Sequence, residues 1–346
     1  MKHSKNEDFN VLSLFDGMSC GQIALDQLGI EVDNYFACEI DKWAIKVALK
    51  NYPNTIQLGS VTDLHGVDMV LPKLGLIIGG SPCQGFSFAG KQLNFEDPRS
   101  MLFFEFVRIL EEARQLNPDV LCMLENVRMK KEYLAVISEQ LGVEPILINS
   151  ALISAQNRQR VYWANWRVEQ PEDKGILLAD ILEDDVHDSF YHTDKAVEYM
   201  NREGSTGRVK WSYLFHSEES KLKSQCVTAN FFKGVPNNVL VCGRTVGRRI
   251  NPNSGKRDDY NFEINAKQRF EARYDEKTGA LTTVRKDNEL GMNGIPVSIR
   301  KFTPIECERL QCVPDNYTNH VSNTQRYKML GNGWTVDVIA HIFKGL

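Results

Sequence analysis

Four short stretches carry residue types with chemistry to offer, and each falls where a loop is expected. Gly79-Gly80-Ser81-Pro82-Cys83-Gln84-Gly85 sets a cysteine between proline and glycine residues. Such a thiol becomes a nucleophile when its thiolate is stabilised, because a free thiol of pKa about 8.5 is only slightly ionised at neutral pH. Taken singly, a loop cysteine reads more readily as a small buried hydrophobe. Glu125-Asn126-Val127 offers a carboxyl that can hold a substrate or simply cap a loop. Gln156-Asn157-Arg158-Gln159-Arg160 offers two guanidiniums for an anion or a thiolate, or else a solvated charged turn. Phe15-Asp16-Gly17-Met18-Ser19-Cys20-Gly21 is a glycine-bearing turn of the kind that lets a ligand approach the backbone at a helix start. Glu39 follows 22 residues after Gly17, the place from which an acidic side chain takes the ribose hydroxyls of an adenosyl cofactor. The turn is not G-x-G-x-x-G, so a pyrophosphate cofactor is disfavoured; an ordinary tight turn beside a solvent-facing glutamate is the plain alternative.

Something must bring these stretches together, and the hydrophobic pattern says what. Short apolar runs at 10–15, 35–39, 55–58, 75–78, 120–124, 145–148 and 161–164 predict strands. Between them, 21–28, 41–51, 100–116 and 130–141 predict helices. Gly29 supplies a C-cap, Asp41 an N-cap and Pro53 a stop. Phe103, Phe106, Val107 and Leu110 share one face of the third helix. Alternating strand and helix predicts an α/β fold with a mostly parallel sheet covered on both faces. All four chemical stretches then lie at or beside strand ends on one edge of that sheet, where ligands of such folds bind. From about residue 167 the rhythm fails. Residues 167–298 are polar and rich in Gly and Asn, with short strand candidates at 239–242 and 280–284. We expect three parts: a catalytic domain at 1–166, a smaller domain at 167–298, and a segment at 299–346 that returns to the first. Within the last, helices are expected at 303–311 and at 324–343, the second interrupted at 331–333.

Composition bounds the rest. The chain has 346 residues, 42% hydrophobic and 25% charged, as in ordinary globular proteins. No apolar run reaches the length of a membrane span, and residues 1–10 are polar without a signal core, so no membrane and a cytoplasmic location are expected. The eight cysteines form no CxxC pair and have no histidine cluster beside them, so no metal is expected and most should be buried free thiols. The net charge of −4 hides an asymmetry. Residues 172–194 hold eight acidic side chains and one basic, whereas 243–273 hold eight basic and four acidic. A local basic stretch matters more for phosphate contact than the total.

The motifs SLFDGMSCG, GGSPCQGFS, LENVRM, QNRQRVYW, RKFTPIECERLQCVPDNY and YKMLGNGWTVDVIAHIF span residues 11–343. In kind and order they resemble those of the cytosine-5 DNA methyltransferases. FDGMSCG, RSMLFFEF and the tryptophan after Gly-Asn-Gly look most like the animal de novo enzymes and their phage and bacterial relatives. The resemblance implies a Rossmann-like, seven-stranded fold of the class I methyltransferases. It implies S-adenosyl-L-methionine as cofactor and S-adenosyl-L-homocysteine as product. Cys83 is then the nucleophile at C6 of a flipped-out cytosine, Glu125 holds its N3 and amine, and Arg160, with Arg158 nearby, holds the base and the carboxylate. Phe15, Asp16, Gly17, Glu39, Ile40, Ser60, Pro82, Asn332 and Trp334 form the cofactor site. One departure stands out: the family commonly has Gly-Asp where this chain has Gly59-Ser60, so Ser60 or Asp63 must serve the adenine amine. Double-stranded DNA is the implied partner. Ser87, Lys91, Gln92 and Arg99 follow the nucleophile, and Arg244, Arg248, Arg249, Lys256 and Arg257 lie in 167–298, the variable target-recognition region. A monomer, microbial or phage-encoded and nucleoid-associated, is expected, with a cognate endonuclease as partner if it serves restriction–modification. An RNA cytosine methyltransferase has a smaller insertion, a silent regulatory homologue need not keep Cys83, Glu125 and Arg160, and a nicotinamide dehydrogenase has no use for Pro-Cys-Gln.

Overall fold

The computed structural model describes residues 8–82, 101–183, 185–191, 193, 223–233, 240–241, 243–248, 267–272 and 299–346. The chain starts with β1 (Asn10–Leu14), buried at all five positions. A strand apolar on both faces belongs in the middle of a parallel sheet, and β1 lies there. It pairs in parallel with β2 (Asn34–Cys38) on one side and β4 (Leu74–Gly80) on the other. β3 (Ile56–Gly59) extends the first side and β5 (Leu121–Val127) the second, both in parallel. β8 (Gln159–Ala164) then inserts antiparallel between β5 and β6 (Ile146–Asn149). The seven-stranded order is β3-β2-β1-β4-β5-β8-β6. Strand order reverses direction between β1 and β4, and at such a switch point the loops after the carboxyl ends diverge and leave a crevice.

Helices α1 (Cys20–Gln27), α2 (Lys42–Asn51), α4 (Met101–Leu116) and α5 (Lys131–Leu141) link the strands. A four-residue α3 (Val67–Val70) was not expected from the sequence. Asp41 does cap α2: its side chain accepts from the Trp43 amide at 2.9 Å. α4 buries Phe103, Phe106, Val107 and Leu110 in the same core as Leu12, Leu14, Ile77, Leu124 and Trp163. It can approach that closely because Gly79 has no side chain; a Cβ there would stand 3.0 Å from the Phe106 ring and from the Leu14 carbonyl.

The residues before β8 form a separate short strand, β7 (Gln156–Asn157), parallel to β9 (Ser224–Gln225). By contacts the chain divides into two compact units. The first is 1–180, 222–229 and 307–346; the second is 181–221 and 230–306. The β7–β9 ladder explains why 222–229 joins the first unit although it lies within the expected 167–298 segment. The first unit ends with most of α6 (Pro304–Leu310), then α7 (Asn323–Asn332) and α8 (Val336–Phe343), broken by the glycine turn between the last two.

Within the second unit, β10 (Leu240–Val241) pairs antiparallel with β13 (Ile299–Arg300), and β11 (Gly243–Arg248) with β12 (Lys267–Ala272). The strand candidate at 280–284 lies outside the described residues. Thr303 and Glu306 form a reciprocal capping box at the start of α6, with N–H to side-chain distances of 2.8 and 3.1 Å. The same Glu306 takes both guanidinium nitrogens of the fully buried Arg300 at 2.7 and 2.6 Å. Among the described residues no helix is long and apolar enough to cross a membrane.

Candidate active site

At the carboxyl end of β1 the backbone turns sharply. Phe15 (φ 60°), Gly17 (φ 60°) and Ser19 (φ 65°) are all left-handed, and two of the three are not glycine. Non-glycine residues hold that conformation only when neighbours over-determine it, and here they do. The Asp16 amide donates to the Cys38 carbonyl at the end of β2, at 3.0 Å. The Asp16 carboxyl accepts from Tyr35 Oη at 2.9 Å and from Ser19 Oγ. Burial pushes the Asp16 pKa up to about 6, against the opposing pull of those hydroxyls. Glu39 ties the two strand ends together. Its Oε2 accepts from the Gly17 amide at 2.8 Å, and its Oε1 from the amides of Ile40 and Asp41 at 2.7 and 2.8 Å. Oε2 keeps acceptor capacity toward the open side. Next to it, Ile40 is 78% exposed, a bare apolar surface at the rim.

At the end of β5, Glu125 lies across from Gly80 on β4 and Tyr162 on β8. Its Oε1 meets Arg160 Nε at 3.0 Å. Its Oε2 accepts from Trp334 Nε1 at 3.1 Å. The next residue, Asn126, is buried and donates from Nδ2 to Ser81 Oγ at 3.0 Å and to the Ser81 carbonyl at 3.3 Å. It therefore fixes the backbone just before Pro82.

One cavity of about 400 Å³ joins the two ends, within the size range of pockets for drug-sized ligands. Phe15, Asp16, Gly17, Glu39, Ile40, Ser60, Pro82, Asn332 and Trp334 all line it, and so do Glu125, Arg158 and Arg160. Ser60 is in the wall and Asp63 is not. An adenosyl group fits this wall: apolar Ile40 stands exposed beside a carboxylate with a spare lone pair, over a glycine turn whose backbone a ligand can approach.

Residues 9–346 match the C-5 cytosine-specific DNA methylases. The chain belongs to that family. It is 27% identical over 363 residues to the Type II methyltransferase M1.ScrFI of Lactococcus lactis subsp. cremoris, covering 98% of this chain and 78% of the relative. It is 26% identical over 435 residues to the orphan methyltransferase M.SPRI of Bacillus phage SPR, covering 97% of each. It is 28% identical over 358 residues to the Type II methyltransferase M.HpaII of Haemophilus parainfluenzae, covering 96% of this chain and 87% of the relative. A solved DNMT2 structure from Spodoptera frugiperda, at 20% identity, superposes with a TM-score of 0.65 over 97% of this chain and 99% of its own. That likeness shows a shared fold. This chain is thus a DNA cytosine methyltransferase with a methyltransferase fold.

Within this methylase, the two arginines of QNRQR have different surroundings. Arg160 reaches Glu125, as above. Arg158 is 3% exposed and turned toward the main chain. It donates to the carbonyls of Val227 at 2.9 Å, Gly331 at 3.2 Å and Gly333 at 2.8 Å, and to Cys226 Sγ at 3.1 Å. It ties together the segment carrying β9 and the turn that carries Trp334. The family resemblance implies that Arg160, with Arg158 nearby, holds the base; the observed contacts make Arg158 a clamp on backbone, although it also lines the cavity.

Cys83 follows Pro82 directly in the chain and lies outside the described residues, as do Ser87, Lys91, Gln92, Arg99, Arg249, Lys256 and Arg257. Arg244 and Arg248 are described by backbone alone, on β11. Of the described cysteines, burial pushes Cys20, Cys38 and Cys312 up to about 12 and Cys122 up to about 11, so these remain thiols at neutral pH. Sequence reasoning missed Cys20, Cys38, Leu102, Met329 and Asn126 in the cavity wall. Asn126 had a signal, its place in Glu-Asn-Val. Cys20, Leu102 and Met329 fall inside the quoted motifs, but nothing in their type, or in that of Cys38, speaks of a ligand.

Proposed function

We propose that the chain methylates C5 of a cytosine flipped out of a specific duplex DNA sequence, using S-adenosylmethionine, through a bond between Cys83 Sγ and C6. One observation carries this reading: a single cavity is lined at one end by Glu39 and Ile40 and at the other by the Glu125–Arg160 pair, with Pro82 between. An adenosyl methyl donor and a cytosine edge have complementary needs at those two ends.

Glu39 and Ile40 bind the ribose and adenine, and the Asp16–Gly17 backbone meets the methionine part. Glu125 receives the exocyclic amine and N3 of cytosine. Arg160 keeps that carboxylate aimed and adds positive charge near the thiolate. Cys83 thiolate adds to C6, and the displaced electron pair makes C5 an enamine-like nucleophile. When bound, the cofactor would supply an electrophilic sulfonium methyl to C5 and would depart as S-adenosylhomocysteine. Loss of the C5 proton to a base expels Cys83 and restores the aromatic ring. Ser87, Lys91, Gln92 and Arg99 close on the DNA beside the nucleophile. The 167–298 region reads sequence, with Arg244, Arg248, Arg249, Lys256 and Arg257 as backbone or base contacts. A cognate endonuclease is its partner if it serves restriction–modification, and the chain acts as a monomer.

The test uses duplex DNA with 5-fluorocytosine at the target, where fluorine replaces the C5 proton and blocks the final elimination. Wild-type protein with cofactor should give an adduct that survives denaturing electrophoresis. Cys83→Ala should give none, while still binding S-adenosylhomocysteine in calorimetry. Bisulfite sequencing of DNA from expressing cells identifies the target. Methyl transfer by Cys83→Ala, or transfer to tRNA and not to duplex DNA, would falsify the reading.

A further inference from the structure

We propose that Trp334 is a positioning residue for Glu125: its indole N–H sets the direction of the base-holding carboxylate, while its ring walls the cofactor cavity. The inference rests on the function proposed above and adds to it a link between the two ends of the site. The indole has one donor, and that donor meets Glu125 Oε2 at 3.1 Å. The other carboxylate oxygen meets Arg160 at 3.0 Å. A carboxylate held at one oxygen swings about its Cγ–Cδ bond. Held at both, from β8 on one side and the turn between α7 and α8 on the other, it has one orientation.

The seat is shaped for this ring. Gly80 faces it, and a Cβ there would lie 2.8 Å from Trp334 Nε1 and 3.1 Å from Glu125 Oε2. The far edge of the indole reaches the first turn of α1, where a Cβ on Gly21 would lie 3.8 Å from Cζ3. One side chain therefore spans from the first turn of α1 to the Glu125 carboxylate. Its backbone is pinned as well. Gly333 on one side gives its carbonyl to Arg158 at 2.8 Å. Thr335 on the other donates to Gln311 Oε1 at 2.9 Å. Trp334 itself is 8% exposed, so the hydrogen bond is shielded from competing water.

A ring that merely fills space predicts a different outcome from a ring that aims a carboxylate. Trp334→Phe keeps most of the packing and removes the donor. It should lower kcat about ten- to hundredfold, as expected for losing a hydrogen bond to a charged group. Release of tritium from C5 of the target cytosine should fall with it, because base activation is the step affected. The Kd for S-adenosylhomocysteine should stay within about threefold. Incorporating 3-benzothienylalanine at position 334, which exchanges N–H for sulfur in the same shape, should reproduce the loss. In a Glu125→Ala background, which removes the acceptor, Trp334→Phe should change kcat less than about twofold. Full activity with benzothienylalanine, additive losses in the double variant, or a Kd that worsens in step with kcat would each overturn the positioning role. If wild-type protein releases no tritium from C5, the proposed function and this inference fall together; an active wild type with any of the other outcomes sinks this inference alone.

Discussion

Asp16 is 8% exposed at the strained turn after β1, and burial raises its pKa from 3.8 to about 6. Its folded-state value lies above the unfolded one, so the folded chain holds the proton more tightly. The associated stability is fully present below pH 4, declines as pH rises through 6, and is absent above that. The size is on the order of 2–3 kcal/mol. Asp16→Asn cannot ionise, so its melting temperature relative to wild type should climb between pH 5 and pH 7.5. A difference that stays flat over that interval would show that Asp16 ionises in place without cost. The same residue scale explains why Glu39 was legible and its partners were not. An acidic side chain after a second strand suggests ribose binding, but that it would also accept one amide from the β1–α1 turn and two from the residues after it depends on where the backbone of residues 17, 40 and 41 comes to rest.

At the scale of elements, the site depends on two short pieces that carry little chemistry of their own. The segment just after β9, at Val227, and the C-terminal end of α7, at Gly331 and Gly333, are joined through the buried guanidinium of Arg158. The approach is so close that a Cβ on Gly331 would stand 2.1 Å from the backbone of Thr228 and Ala229. Gln156 reinforces the joint, donating to the Leu310 carbonyl at 2.6 Å and accepting from the Val227 amide at 3.1 Å. Arg158→Ala would leave several buried carbonyls without donors, a loss of roughly 2–4 kcal/mol. The urea midpoint should fall accordingly. Because the turn bearing Trp334 loosens too, kcat should fall more than the Kd for S-adenosylhomocysteine rises. An unchanged urea midpoint would refute the clamp.

At the scale of the molecule, every described residue that lines the cavity belongs to the first compact unit. The second unit has its own buried anchors, the Arg300–Glu306 pair and the Phe231–Phe302 stack with centroids 6.2 Å apart. Cofactor chemistry and target choice should therefore be separable. Replacing residues 234–298 with the corresponding stretch of a Type II relative keeps those anchors. It should move methylation to another sequence while leaving the KM for cofactor within about threefold. Retention of the original target by the chimera would place sequence reading outside 234–298.

The sequence by itself determined the sheet, the order of its elements and the types of group at its carboxyl edge. Hydrophobic period and turn residues are local, so strands such as β1 and the face of α4 carrying Phe103, Phe106 and Leu110 follow from neighbours in the chain. The motif LENVRM likewise names Glu125, and the spacing after Gly17 names Glu39, without coordinates. Only the tertiary structure decided what those groups touch. Arg158 and Arg160 are two residues apart in one motif, yet one faces backbone carbonyls and the other a carboxylate. Trp334 donates to a residue 209 positions away. Such pairings are set by how strand ends and turns meet in space, and no local pattern encodes that distance.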